Sequence, residues 1–109
     1  MMDNPRHIQR LRSKTTVELL WPYILSLCSD EPAYAYEIRD LISKRFGFSV
    51  GNVTAYMVLY KMEGSGLVST EWRKVENRQR KYYSITLEGK KALKEAVAIF
   101  SDISSSLTP

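Results

Sequence analysis

The residues with the most chemistry to offer lie in one stretch, Gly51-Asn52-Val53-Thr54-Ala55-Tyr56-Met57-Val58-Leu59-Tyr60-Lys61-Met62-Glu63. Read as a helix, it places Ala55, Leu59 and Met62 at i, i+4, i+7 with Val58 beside them, the spacing of a buried stripe. The other face carries Thr54, Met57 and Lys61, flanked by Tyr56 and Tyr60, with Asn52 at its N-terminal end. A face of amide, hydroxyl, thioether, phenols and ammonium is suited to reading double-stranded DNA. Asparagine pairs bidentately with adenine, and the Thr54 methyl or Met57 can pack on a thymine methyl. Tyr56, Tyr60 and Lys61 suit phosphates. For the two tyrosines the competing reading is half-buried packing.

A second group follows, with Arg73, Lys74, Arg78, Arg80 and Lys81 inside one short segment. Cations there would hold phosphates without regard to sequence and make binding salt-dependent. Residues 69–81 hold five basic side chains against two acids, and residues 1–14 hold four against one. The rest of the chain is slightly acidic, so the net charge of +4 is concentrated in two patches, as in a polyanion binder.

These groups need elements to present them. The spacing predicts a helix opened by Gly51-Asn52, since asparagine is a favourable N-cap, and closed at Gly64-Ser65-Gly66, where glycine accepts left-handed geometry. Before it, Thr16 to Cys28 reads as a helix with Leu20, Ile24 and Leu27 in line. Pro22 either kinks that helix or lies in the first turn of one that restarts there. Ala33 to about Arg45 reads as the next helix, with Tyr34, Ile38, Leu41 and Ile42 inward and Gly47 as its stop. Two short helices joined by a tight connector, Phe48-Ser49-Val50, make a helix-turn-helix.

After the third helix, Leu67 to Arg73 and Arg80 to Ile85 read as strands around a polar turn, Glu76-Asn77-Arg78-Gln79. The hairpin must lie on the helices to be stable, which makes the motif winged. Thr86 then caps a helix from Leu87 to about Ser104, where Leu93, Ala96, Phe100, Ile103 and Leu107 follow a 3-4-3-4 seam. Ala92 and Ile99 form a second apolar row. The expectation is a homodimer through Leu93, Ala96, Phe100 and Ile103, the alternative being that the stripe packs on its own domain.

The expected fold is therefore mainly α with a small two-stranded β-wing, a winged helix-turn-helix. Residues 1–14 form a basic arm or short helix, 15–86 the DNA-binding domain, and 87–109 the dimerisation helix with a frayed tail.

Other chemistry is missing from the sequence. His7 is the only histidine, Cys28 the only cysteine, and no metal-ligand spacing occurs. Gly64-Ser65-Gly66 follows a helix and precedes a strand, the wrong context for a phosphate loop or dinucleotide fingerprint. Glu37 and Asp40 share a helical face, most simply a solvated one. The expectation is no enzyme, no cofactor and no metal. The lone cysteine fits a reducing cytoplasm, and no apolar run is long enough to span a bilayer. Trp21, Trp72, Tyr23 and Tyr34 are the aromatics that could line a small-molecule effector pocket; ordinary core packing competes.

Three pieces of sequence resemble the PadR family of winged-helix transcriptional regulators, over about Leu20 to Ala98. They are Pro32-Ala33-Tyr34-Ala35-Tyr36-Glu37-Ile38; Thr54-Ala55-Tyr56 with Leu59, Met62 and Gly66-Leu67-Val68; and Arg80-Lys81-Tyr82-Tyr83-Ser84-Ile85-Thr86-Leu87-Glu88-Gly89. Ala35 stands where the family usually has glycine, and Asn52-Val53 where it usually has proline-glycine. The resemblance implies a homodimeric, ligand- or stress-responsive repressor, and with it a palindromic operator. A winged helix used as a protein-docking module is the rival reading.

Overall fold

In a computed structural model, described over residues 5–109, the chain forms five helices and one small antiparallel sheet. Met1 to Asn4, the start of the expected basic arm, lie outside the described residues. From Arg6 to Thr15 that segment is helix α1, which buries none of its side chains. Helix α2 runs from Trp21 to Cys28, not from Thr16 as expected. Pro22 lies in its first turn, where the missing N–H has no intrahelical partner to lose, so the helix restarts here instead of kinking. Tyr23 fastens the two helices together. Its hydroxyl donates to the Thr15 carbonyl at 2.6 Å, and its ring meets Phe46 and Phe48 edge-on, with centroids 4.9 and 5.1 Å away.

The next helix also starts later than its periodicity suggests. Ala33–Tyr34 is a short strand, β1, and helix α3 occupies Ala35–Leu41. A wider π-helical turn, Ile42–Phe46, follows and ends at Gly47, whose φ of 78° is the left-handed geometry expected there. β1 pairs antiparallel with the return strand of the hairpin, Ala33 opposite Tyr83 and Tyr34 opposite Tyr82. The sheet is therefore three-stranded, in the order β1-β3-β2, not the expected two. The physical reason is the exposed edge of the return strand, whose unpaired backbone groups β1 satisfies. The Tyr34 and Tyr82 rings, 5.5 Å apart and edge-on, fix this pairing.

Helix α4, Asn52–Gly64, is the third helix of the expected motif. Ala55, Leu59 and Met62 are buried, as their spacing requires, and join Ile24, Leu25, Ile38 and Ile42 in the core. Complete burial of Leu59 alone contributes about 2 kcal/mol. Gly51, not Asn52, is the N-cap, with its carbonyl accepting from the Ala55 N–H at 3.0 Å. Arg39 Nε donates to the Val50 carbonyl at 3.1 Å and so fixes the connector that leads into the helix.

Strands β2, Val68–Val75, and β3, Arg78–Ile85, pair along their whole length. The turn is shorter than expected, because Arg78 and Gln79 belong to β3. Its two residues, Glu76 and Asn77, have φ of 52° and 65°. Positive φ at both central positions matches the twist of a two-residue hairpin. Thr86 caps helix α5, Leu87–Leu107, accepting from the Gly89 N–H at 3.0 Å; the expected end near Ser104 falls one turn short.

Candidate nucleic-acid interface

The side of α4 opposite the core is open to solvent. Asn52, Val53, Thr54, Tyr56, Met57, Tyr60 and Lys61 are all exposed, Tyr60 and Val53 by 78 and 73%. The shift of the cap to Gly51 leaves the Asn52 side chain without a capping hydrogen bond. Asn52, Val53 and Thr54 occupy the first turn, where free backbone N–H groups and the positive end of the helix dipole favour an approaching anion. Val53 was not singled out from sequence, although an apolar residue off the buried stripe is the available signal.

Beyond the first turn, α4 and the wing enclose a cleft of about 720 Å³. Tyr56, Met57, Tyr60 and Lys61 form one wall, Trp72, Gln79, Lys81 and Tyr83 the other, and Tyr34 to Tyr36 with Arg80 close one end. The hairpin register explains the choice of wing residues. Trp72 pairs with Lys81 and Lys74 with Gln79, so these four share the face toward α4. Arg73 pairs with Arg80 and Val75 with Arg78, which puts those three arginines on the opposite face. The expected wing cations are thus divided by register, Lys74 on one side and Arg73, Arg78 and Arg80 on the other, although Arg80, over Tyr34, still borders the end of the cleft.

Two of the arginines are also engaged. The Arg80 guanidinium lies 4.3 Å from the Tyr34 ring centroid, and that of Arg73 lies 4.6 Å from Tyr82. Arg73 Nε is in addition 3.4 Å from a Glu71 carboxylate oxygen. Lys61, Lys74 and Arg78 make no ion pair among the described residues. Lys81 does: its Nζ is 2.9 Å from Glu63 Oε1, while the Thr70 hydroxyl donates to Glu63 Oε2 at 2.8 Å. The bonds from Lys81 and Thr70 hold the Glu63 carboxyl below its usual range, and the same contact raises Lys81.

The four aromatics considered for an effector pocket do not come together. Trp72 and Tyr34 line the cleft, whereas Trp21 packs against the core and Tyr23 against Phe46 and Phe48. Tyr36, 67% exposed at the cleft's end, was missed. Cys28 is buried, and desolvation pushes its thiol up to about 12, so it stays protonated and inert. Among the described residues no group of three or more His, Cys, Asp or Glu could hold a metal ion, and no helix is long and apolar enough to cross a membrane.

The seam on α5 is divided as well. Leu93 packs against the chain's own core and Ala96 is buried, whereas Phe100, Ile103 and Leu107 are 42, 51 and 77% exposed, with Val97 and Ile99 also open.

Known proteins share this fold. The sequence matches the transcriptional regulator PadR-like family over residues 24–95. The transcriptional regulator Rv3488 of Mycobacterium tuberculosis is 33% identical over 73 residues, 67% of each chain. A PadR-family regulator from Eggerthella lenta superposes with a TM-score of 0.76 at 27% identity, covering 94% of both chains. The Bacillus subtilis PadR structure in complex with operator DNA shares the fold, with a TM-score of 0.68 at 22% identity, over 72% of this chain and 46% of that one. With its winged helix-turn-helix and a family match across most of its length, the chain belongs to the PadR-like family of transcriptional regulators.

Proposed function

We propose that the protein is a sequence-specific DNA-binding repressor that reads a palindromic operator as a homodimer. The observation that carries this reading is the open face of α4 beside a cationic wing. In it, α4 lies in the major groove. Asn52 and Thr54 meet base edges, Met57 packs on a thymine methyl, and Tyr56, Tyr60 and Lys61 take flanking phosphates. Lys74 and Arg78 supply free wing cations, with Arg73 and Arg80 held ready on their tyrosines. The operator complex of the Bacillus subtilis protein is consistent with this use of the fold.

Selection of fragments from mixed genomic DNA by the purified protein tests the reading. Enrichment of a two-fold-symmetric sequence, with affinity falling linearly in log–log against salt, is the expected result. One observation favours the docking-module alternative: Tyr36, Tyr56, Met57, Tyr60 and Trp72 form a large exposed apolar surface. Failure to retain any DNA at low salt would select that alternative.

The second subunit is assigned to the outer half of α5. Because Leu93 and Ala96 face their own subunit, the pairing surface centres on Phe100 and Ile103, extended by Val97 and Leu107. Two such helices crossing bury an apolar strip that water otherwise covers. Sedimentation is expected to give twice the 12.6 kDa chain mass, and Phe100→Asp with Ile103→Asp to give a folded monomer. An unchanged dimer in that variant would move the interface elsewhere.

A further inference from the structure

Glu63 is out of place by two physical criteria. It occupies the last turn of α4, where the helix dipole disfavours an acid, and it borders a face otherwise furnished with cations. It also neutralises Lys81, a cation that would otherwise be available to a phosphate. What it does accomplish is geometric. Its two carboxylate oxygens are divided between the two strands of the hairpin, Oε2 to Thr70 of β2 and Oε1 to Lys81 of β3. Thr70 and Lys81 are diagonal neighbours on the face toward α4, because Thr70 pairs with Tyr83 and Lys81 with Trp72. One carboxylate therefore joins the end of α4 to both strands of the wing, through a lysine that lines the cleft.

We infer that Glu63 is a positioning residue for DNA binding, holding the wing at the distance from α4 that lets both engage one duplex. The inference rests on the DNA-reading function proposed above. The pair is about one-third exposed, with side-chain exposures of 31 and 34%, and solvent-accessible pairs of this kind add little to overall stability. Its removal therefore leaves a folded chain in which the wing is less well placed.

Glu63→Gln separates this role from a simple charge effect, because the two predict opposite signs. The substitution adds one unit of positive charge beside the DNA. If Glu63 were only an anion on that surface, affinity would rise and the salt dependence would steepen or stay the same. As a positioning residue, its loss weakens binding to the selected operator by about three- to tenfold, the size of a typical coupling between neighbouring groups. The salt dependence becomes shallower as wing contacts are lost, and the thermal midpoint stays within a few degrees.

Thr70→Val checks the same point with no change of charge and is expected to weaken binding in the same direction, by less. Unchanged or tighter binding by both Glu63→Gln and Thr70→Val would overturn the inference. Failure of the unsubstituted protein to bind DNA overturns the underlying reading instead, and is seen before any variant is made.

Discussion

Replacing Gly89 by alanine lowers the stability of the fold by about 2 kcal/mol, read as a fall of roughly 10 °C in the thermal midpoint. The direction is opposite to what helix propensity says, since alanine in an open helix interior gains about 1 kcal/mol over glycine. Packing decides the sign. A Cβ at residue 89 would lie inside the van der Waals shell of the Leu67 carbonyl oxygen, 2.9 Å from Ile85 Cγ1 and 3.2 Å from Leu25 Cδ2. The side chains could yield by a few tenths of an ångström, but the carbonyl cannot easily do so. It already accepts from the Thr86 N–H at 3.2 Å, and the Thr86 hydroxyl, 3.0 Å away, shares its proton between this oxygen and the Gly66 carbonyl at 2.6 Å. Alanine therefore either pushes the first turn of α5 off the sheet or breaks its cap, and overpacking of this kind outweighs the propensity gain. A variant as stable as the parent, or more so, would show that α5 does not seat against Leu67, β3 and α2 at this glycine.

Gly89 also shows what a sequence can and cannot disclose. It stands in the first turn of an amphipathic helix behind a threonine cap, and both features are visible as local patterns. The need for glycine comes from a carbonyl more than twenty positions earlier in the chain, and no local pattern records that. The same division runs through the molecule. Ala55, Leu59 and Met62 announced the buried side of α4 because a 3.6-residue period is a property of the helix itself. Thr86 announced α5 because an N-cap is equally local, a side-chain bond to an amide three residues on.

The third strand did not show, because Ala33 and Tyr34 have no strand run of their own. They are extended only because β3 has a free edge for them. The division of the wing cations depends on a register set by the two-residue turn at Glu76 and Asn77. A turn read as four residues hides which side each arginine takes. The seam on α5 was legible as apolar, but the inward use of Leu93 and Ala96 depends on where α2 and the sheet lie. The link from Glu63 to Thr70 and Lys81 is likewise tertiary: nothing in the order of letters pairs residue 63 with residue 81.

Substitution of Asn52 or Thr54 by alanine is expected to cost about 1–3 kcal/mol on the selected operator, and to narrow the gap between that site and bulk DNA. Lys74→Ala and Arg78→Ala are expected to weaken all sequences alike and to reduce the log–log salt slope by about 1 each. The contrast follows from position. Asn52 and Thr54 are exposed in the first turn of α4, and Asn52 has no capping bond to hold its amide away from a ligand. An amide and a hydroxyl at that end of a recognition helix discriminate among base edges, because each base pair presents its own donors and acceptors in the major groove. Lys74 and Arg78 are exposed on the wing without an ion-pair partner among the described residues, and a flexible cation finds a phosphate on any duplex. The two classes should therefore separate in a single experiment, with each variant titrated on operator and on scrambled DNA at several salt concentrations. Alanine at position 54 that left every affinity unaltered would remove α4 from the groove.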